Sequence, residues 1–444
     1  MNRLRPASNN RKRFEFLAAM AAVLVLLSGA ANALAQPTVR CVPNHNINSS
    51  CTSTDYSTIQ AAVTAANEGD TILVAPGNYK ESVTIPIADI SLLGAQAGND
   101  ARIDRHDPKK ESIIDASTTG VGSAIIVSAE NVLIDGFTVQ GGGPSGDASG
   151  IDLKGTCNGF NTATGADVFN NIIQNNGTGI SLNFDGCGQN VTPGTELIGV
   201  LIEHNLIKNN NATLGEGMLV NAVQQAIITE NAFSGNNTRA IDVYNSSDVK
   251  ITSNTSESDA SFVLFAGTTN ALFSQNRGEG LGHKGSLPGY INAAVAIAPG
   301  NLYLVISDNW LGAGKHSGDG IAFVWYSPPP GPANSHLYLT NNTVRGFAGN
   351  GIIAWSNTLS ATLILGNEVE DNRSGGILIE ESAGNVDNSF FDNEAEGNSN
   401  NDCEDDTSGS GTLGTGNTWF HNTGKLSVPT GLCTAGKWHD RDWR

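Results

Sequence analysis

An asparagine returns along this 444-residue chain at Asn171, Asn205, Asn231, Asn254, Asn276, Asn309, Asn342 and Asn367, each three residues after an apolar strand position. The steps are 34, 26, 23, 22, 33, 33 and 25 residues, a base period of 22–26 with three lengthened turns. After each asparagine comes a Gly/Asn-rich bend and then a short alternating run. These runs are GIDLK (150–154), GISLN (179–183), GMLVN (217–221), AIDVY (240–244), SFVLF (261–265), AVAIA (294–298), GIAFV (320–324), GIIAW (351–355) and GILIE (376–380). Alternation with period two, bounded by Gly and Asn, predicts strands. Repetition at a fixed period predicts a stacked array of one small unit.

Alternation divides each strand between two faces. The inward set reads Ile151/Leu153, Ile180/Leu182, Met218/Val220, Ile241/Val243, Phe262/Leu264, Val295/Ile297, Ile321/Phe323, Ile352/Ala354 and Ile377/Ile379, all apolar. One repeat cannot bury that face alone, so the coils must stack. A leucine-rich repeat would need a helical segment per turn. The return segments here (NNGTG, GNNTR, DNRSG) are poor helix formers with Gly at the bends. Short strands, tight turns and one Asn per coil point to an all-β parallel β-helix. Stacked Asn side chains can hydrogen-bond along such a ladder, and Asn tolerates the left-handed backbone that its corners need.

These residues resemble the right-handed parallel β-helix, or pectin-lyase-like, superfamily over roughly residues 55–395. The stretch DYSTIQAAVTAANEGDTILVAPGNYKESVTI is similar to that family's opening segment. It implies a short N-terminal capping helix, with Ser57 as cap and Ile59, Ala62, Val63 and Ala66 on one face. Such a helix would plug the open end of the solenoid. GNTWFHNTG…GLC resembles the family's closing segments. The expected organisation is a signal peptide (1–35), an N-terminal cap with first coils (36–100), β-helix repeats (101–395) and a C-terminal cap (396–444), with about eleven coils.

Arg3, Arg5, Arg11, Lys12 and Arg13 precede an apolar stretch from Phe16 to Leu27 and then Ala33-Leu34-Ala35. That pattern predicts an export signal cut before Gln36, hence a secreted or periplasmic protein. No later segment reaches the ~18 apolar residues of a membrane span. Without residues 1–35 the chain carries 19 Lys+Arg against 42 Asp+Glu, a net charge of −23. Such a surface repels nucleic acid and anionic lipid, and polyuronates as well unless calcium bridges them. A monomer is expected.

Six cysteines in an exported chain predict disulfides. Sequence neighbours suggest Cys41–Cys51, Cys157–Cys187 and Cys403–Cys433, out of 15 connectivities. Register supports one of these. Aligning Ile151 with Ile180 offsets the coils by 29 residues and sets Cys187 opposite Asn158, beside Cys157. Coils ~4.8 Å apart satisfy disulfide geometry.

The fold hosts many chemistries, so function must be read from sites. GNYKE (77–81) matches the G-x-Y-x-E pattern of pectin methylesterases without that family's other motifs, and reads as a turn. DRHDP (104–108) is similar to an alginate-epimerase motif in different order, and reads as a surface loop. GHK (282–284) is a fragment of a polygalacturonase pattern. DCEDD (402–406) reads as a solvated cap, and calcium is the one ion its carboxylates would suit; no motif demands a cofactor. The lengthened coils after Asn276 and Asn309 carry insertions at the same point, so their loops should stack. That nominates His283, Lys284, Lys315, His316 and Asp319 as catalytic candidates, with Trp310, Tyr290, Arg345 and Trp355 to contact substrate. Base, cation and aromatic rings together are what a saccharide site needs. The outward rows add an apolar stripe: Val263/Phe265, Ala296/Ala298, Ala322/Val324 and Ile353/Trp355. Either insertions cover it or it is a groove. Two readings stay open: a carbohydrate- or surface-polymer-binding protein, and a polysaccharide lyase or glycoside hydrolase working at loops around 277–319.

Overall fold

The computed structural model describes residues 37–42, 56–103, 105, 107–120, 122–143, 148–155, 162–182, 197–211, 215–282, 292–324, 333–355, 358–382 and 384–436. The expected signal peptide, Cys51, Cys157, Cys187, His283, Lys284 and Tyr290 lie outside them. Each coil contributes one strand to each of three sheets in turn. In one coil these are Asp167–Phe169, Ile172–Gln174 and Thr178–Leu182. The first, second and third sheets hold 14, 14 and 13 strands, and all neighbouring strands are parallel. The ladder runs from Val39–Val42 to Cys433–Thr434. This exceeds the eleven or so coils read from the asparagines. The first coils lack the residue, and Asn393 and Asn422 carry the ladder beyond Asn367.

The asparagines hold the corner between the first and second sheets. Asn254 Oδ1 accepts from the backbone N–H of Asn231 (2.9 Å) and from its Nδ2 (3.1 Å). Its own Nδ2 donates to the Ile228 carbonyl (2.9 Å) and to Asn276 Oδ1 (3.1 Å). The same pattern links every ladder position from Asn171 to Asn422. The left-handed residue is not the ladder asparagine, as expected, but the one before it. Asn170, His204, Glu230, Ser253, Gln275, Asp308 and Asn341 have φ between +50° and +58°. A left-handed residue turns the chain, and the next residue's amide closes the turn. A second ladder lies five residues on, at Asn176, Asn210, Asn236 and Asp259, and a third at Asn301 and Asn334.

Inside, side chains stack coil on coil. The first sheet contributes Ile134, Val168, Ile202, Ile228, Ile251, Phe273, Ile306, Leu339, Ile364 and Phe390, all fully buried. The glycine that opens most third-sheet strands has a packing reason. A Cβ on Gly179 would come within 2.8 Å of Ile207 Cγ2, and one on Gly217 within 2.8 Å of Phe233 Cδ1. In SFVLF the phase differs from expectation. Ile241 pairs with Val263 and Val243 with Phe265, so Val263 and Phe265 face the core while Leu264 faces out. Phe262 takes the slot that glycine fills elsewhere. It fits because the facing second-sheet positions are small, Ser256 and Gly278, and its ring packs edge-on to Phe273 at 5.2 Å. A one-residue slip exchanges the faces of a strand.

Helix α1 (Ile59–Thr64) covers the N-terminal end, with Ile59, Ala62 and Val63 buried. Its cap is Thr58 rather than Ser57: the Thr58 hydroxyl accepts from Ala61 N–H. Glu81 completes the cap by accepting from Ile59 and Gln60 N–H, both at 2.9 Å. The Tyr79 hydroxyl donates to the Ala75 carbonyl (2.9 Å), and burial pushes its pKa up to about 12. GNYKE is thus not the turn expected: Gly77–Tyr79 is a second-sheet strand paired with Ser112–Asp115, its tyrosine packs and Glu81 after it caps a helix. At the other end Cys403 and Cys433 form a disulfide, with Cα atoms 6.0 Å apart. Cys41 is also disulfide-bonded. The 29-residue register is present, with Ile151 opposite Ile180. Among the described residues no helix is long and apolar enough to cross a membrane.

Replacing Asn254 with Ala orphans the buried Asn231 N–H and breaks the ladder on both sides. The expected loss is about 3 kcal/mol, read as a lower midpoint in chemical denaturation. An exposed corner substitution such as Ser253→Asn should leave the midpoint nearly unchanged.

Candidate functional site

The outward face of the third sheet changes character along the solenoid. One column, in register, runs Asp152, Ser181, Leu219, Asp242, Leu264, Ala296, Ala322, Ile353, Leu378 and Glu404. It begins polar, becomes apolar and ends acidic.

The polar end is unusually buried for charged groups. Asp152, Ser181, Arg239 and Asp242 are all less than 5% exposed. Ser181 Oγ donates to Asp152 Oδ1 (3.1 Å), and Lys154 Nζ lies 3.3 Å from Asp152 Oδ2. Arg239 Nη1 donates to Asp242 Oδ2 at 2.8 Å, and the Tyr244 hydroxyl reaches the same oxygen at 3.3 Å. Glu216, from the preceding coil, hydrogen-bonds to Asp242. Burial pushes the Glu216 carboxyl well above the usual range, the Asp242 charge adds to this, and Arg239 opposes it. Burial and the neighbouring Asp242 charge thus disfavour the ionised form of Glu216. Arg239 loses by burial, but the charges of Asp242, Tyr244 and Glu216 hold it more firmly protonated than usual. Hydrogen-bonded carboxyls are also too close for the ~5–9.5 Å separations of a glycosidase pair. Sequence reasoning missed this group. The one available signal was charge at outward strand positions (Asp152, Asp242) where later coils are apolar.

The apolar middle consists of Leu264, Ala293, Ala296, Ala298, Ala322, Val324 and Ile353, packed as a cluster of their own. They are shut off from solvent. The stripe opens at Trp355, which is 45% exposed. Ala354 pairs with Ile379, and Ile379 with Asp405, so the next residues, Trp355, Glu380 and Asp406, occupy one position in three successive coils. Glu404 lies beside them. Asp402 and Asp405 of the same run turn inward as acceptors, from Lys425 N–H (2.7 Å) and from Trp419 Nε1 (2.7 Å). Burial raises the Asp406 carboxyl, with further push from Glu404, Asp405, Glu381 and Glu380.

The residues nominated from sequence fall into two groups. Asp319 opens a third-sheet strand, Asp319–Phe323. It accepts from the Asn350 N–H (2.7 Å). Burial raises its pKa, Asn350 opposes and Glu380 adds. Lys315 and His316 lie exposed in the preceding bend, and neither side chain bonds to Asp319. Trp310 and Arg345 lie on the second sheet instead, where Trp310 pairs with Thr343 and Gly312 with Arg345. There the Arg277 guanidinium sits 4.3 Å over the Trp310 ring. Arg345 Nη2 donates to Asp371 Oδ2 at 2.7 Å, with Glu370 at 3.7 Å. In DRHDP, Asp104 and His106 lie outside the described residues, while Arg105 pairs with Glu111 and donates to the Phe137 carbonyl (3.3 Å).

Among solved structures, the catalytic unit of a thermostable GH87 alpha-1,3-glucanase from Streptomyces thermodiastaticus strain HF3-3 superposes with a TM-score of 0.53 at 14% identity, over 85% of this chain. This chain spans 63% of that catalytic unit. The chain folds as a right-handed parallel β-helix. A mutant of the periplasmic alginate epimerase AlgG gives 0.47 at 12% identity, over 81% of this chain and 77% of that one. The Dettilon tailspike protein gives 0.44 at 14%, over 70% and 59%. At such identities the likeness concerns fold alone. The sequence model of a family described as "Periplasmic copper-binding protein (NosD)" matches residues 64–277 of the β-helix, a little under half of the chain. No curated protein matches it significantly.

Three outcomes test the electrostatics of this face of the β-helix. Asp242→Ala takes the carboxylate from the buried Arg239 and should cost about 3 kcal/mol. Glu216→Gln puts a neutral hydrogen-bonding group where burial and the Asp242 charge disfavour the carboxylate, and should cost less than about 1 kcal/mol. Asp319 has a folded pKa above its ordinary 3.8. Its stabilising contribution is therefore complete below the unfolded pKa and is lost as pH rises through the folded value. Asp319→Asn should melt with wild type near pH 3 and above it at pH 7. Melting curves across that range read both ends.

Proposed function

We propose that the protein is an exported or periplasmic β-helix that binds a neutral carbohydrate polymer, or a surface polymer of similar chemistry, where the third sheet's apolar stripe opens. The exposed Trp355 ring carries this reading, because Glu380 and Asp406 follow it in register. An aromatic face next to hydrogen-bond acceptors suits a sugar ring, whose C–H face is apolar and whose hydroxyls donate. Coils repeating at ~4.8 Å offer an extended polymer successive contacts. The net charge of −23 that remains without residues 1–35 argues for neutral over polyanionic chains. The glucanase name among the neighbours agrees in direction.

A second reading, hydrolysis or lysis of such a polymer, draws on Asp319. A carboxyl held above its ordinary range by burial is what a general acid requires. In that reading Lys315 and His316, exposed in the bend before Asp319, are its candidate partners, while His283, Lys284 and Tyr290 lie outside the described residues and Trp310 and Arg345 on another face.

The copper in the family's description puts a condition on donors. Soft copper(I) prefers thiolate and thioether. Among the described residues no cysteine is free and Met218 is fully buried. An imidazole with two carboxylates, at Glu203, His204 and Glu230, suits copper(II) better.

The test is a polysaccharide panel. Wild type should bind at least one neutral glycan, and Trp355→Ala should weaken that binding roughly tenfold or more, as truncated tryptophan anchors do. Reducing-end release that Asp319→Asn abolishes would establish the second reading. Glycan binding untouched by Trp355→Ala would remove the first.

A further inference from the structure

The segment between strands Ser91–Leu93 and Ser112–Asp115 does not turn directly into the next coil. It runs down the outside of the solenoid along the corner between the first and second sheets. Gly98 N–H donates to the Asp135 carboxylate at 3.0 and 3.1 Å. Arg105 donates to the carbonyls of Phe137 and Asn170. Ala101 N–H donates to the His204 carbonyl at 3.3 Å, and Arg102 reaches Glu230 at 3.3 Å. The strap thus reaches across four successive corners, with its far point at His204 and Glu230, and returns past Asn170 and Phe137.

At that end three potential ligands converge. His204 Nε2 lies 3.2 Å from Glu230 Oε2 and 3.6 Å from Glu203 Oε1. The donor atoms of all three lie within 4.8 Å of one another. The corner makes this arrangement. His204 and Glu230 are the left-handed corner residues of adjacent coils, joined by His204 N–H to the Glu230 carbonyl at 3.1 Å. Their side chains therefore emerge at the same point, one coil apart, and Glu203 closes the first-sheet strand beside them. The side chains are 28–46% exposed, so an ion can enter from solvent. Arg102 is the resident cation. It is already held by Asp100, with Nη2 at 2.7 Å and Nε at 3.0 and 3.1 Å. Releasing Glu230 therefore breaks its longer contact and leaves the Asp100 pair intact.

We infer that His204, Glu203 and Glu230 form a binding site for a divalent first-row transition ion, with the strap's Arg102 as the competing cation that occupies Glu230 in its absence. One imidazole and two carboxylates select copper(II) or zinc over calcium, which takes six to eight oxygens, and over copper(I). The site is separate from the third-sheet face, so glycan binding and metal binding can fail independently.

The test uses the full-length exported protein with copper(II) and, separately, zinc. Titration calorimetry should show one saturable site, and electron paramagnetic resonance of the copper form should show coupling to a single imidazole. His204→Asn keeps a residue that tolerates the left-handed corner. It should abolish the imidazole coupling and lower affinity by more than the ~10–100-fold that even outer-shell partners cost. Arg102→Ala leaves the ligands in place and should tighten binding severalfold by removing a competing positive charge. An imidazole signal that persists in His204→Asn, an affinity unchanged by both substitutions, or no saturable binding would each overturn the site. Unchanged glycan binding in both variants is expected either way and tells this failure from that of the carbohydrate reading.

Discussion

Every corner of this solenoid must turn sharply without leaving buried backbone groups unpaired. The asparagine amide solves both parts of that problem. Its Oδ1 takes the N–H of the coil before, and its Nδ2 returns to a carbonyl that the turn would otherwise orphan. An unpaired buried donor or acceptor costs about 1–3 kcal/mol, so an unbridged corner would lose what the adjacent strands contribute. Stacking the asparagines satisfies each amide by the next, from Asn171 to Asn422. From Asn171 on, that ladder holds successive coils in register alongside the backbone hydrogen bonds that set their spacing.

Register in turn decides what the outer surface can do. Because positions repeat coil by coil, similar residues accumulate in columns. A buried charged group at Glu216, Arg239 and Asp242, a dry stripe from Leu264 to Ile353 and an acidic, aromatic opening at Trp355 are stretches of one face. The same logic sets His204 beside Glu230 on a different corner. A repeat that places one residue places its neighbours at ~4.8 Å, so pairs far apart in sequence become chemical partners.

Much of the fold was legible because the repeat is written in local chemistry. The Asn spacing and the alternation of GIDLK-type strands gave sheet type and most inward positions. The 29-residue offset between Ile151 and Ile180 is present as read. SFVLF misled because its glycine slot holds Phe262, and only the facing Ser256 and Gly278 show why a ring fits there. The second ladder, five residues after the first, lies in Asn176, Asn210 and Asn236, within return segments read only as Gly/Asn-rich bends. The site was less legible. Asp319 and Trp355 were nominated from loop position and outward phase, and both lie on the third-sheet face. Trp310 and Arg345 belong to another face, since neighbours in a loop can enter different sheets.

Sequence alone determined that this chain stacks into a parallel β-helix with asparagine corners, because period, alternation and turn chemistry are properties of short segments. Tertiary structure decided which charges meet. The Glu216–Asp242 pair, the Glu81 cap on α1, the strap that brings Arg102 to Glu230 and the opening of the stripe at Trp355 all join residues of different coils or of an excursion between them. Their interaction depends on register and on the path of lengthened turns. Those are set by packing across coils, where no single segment carries the information.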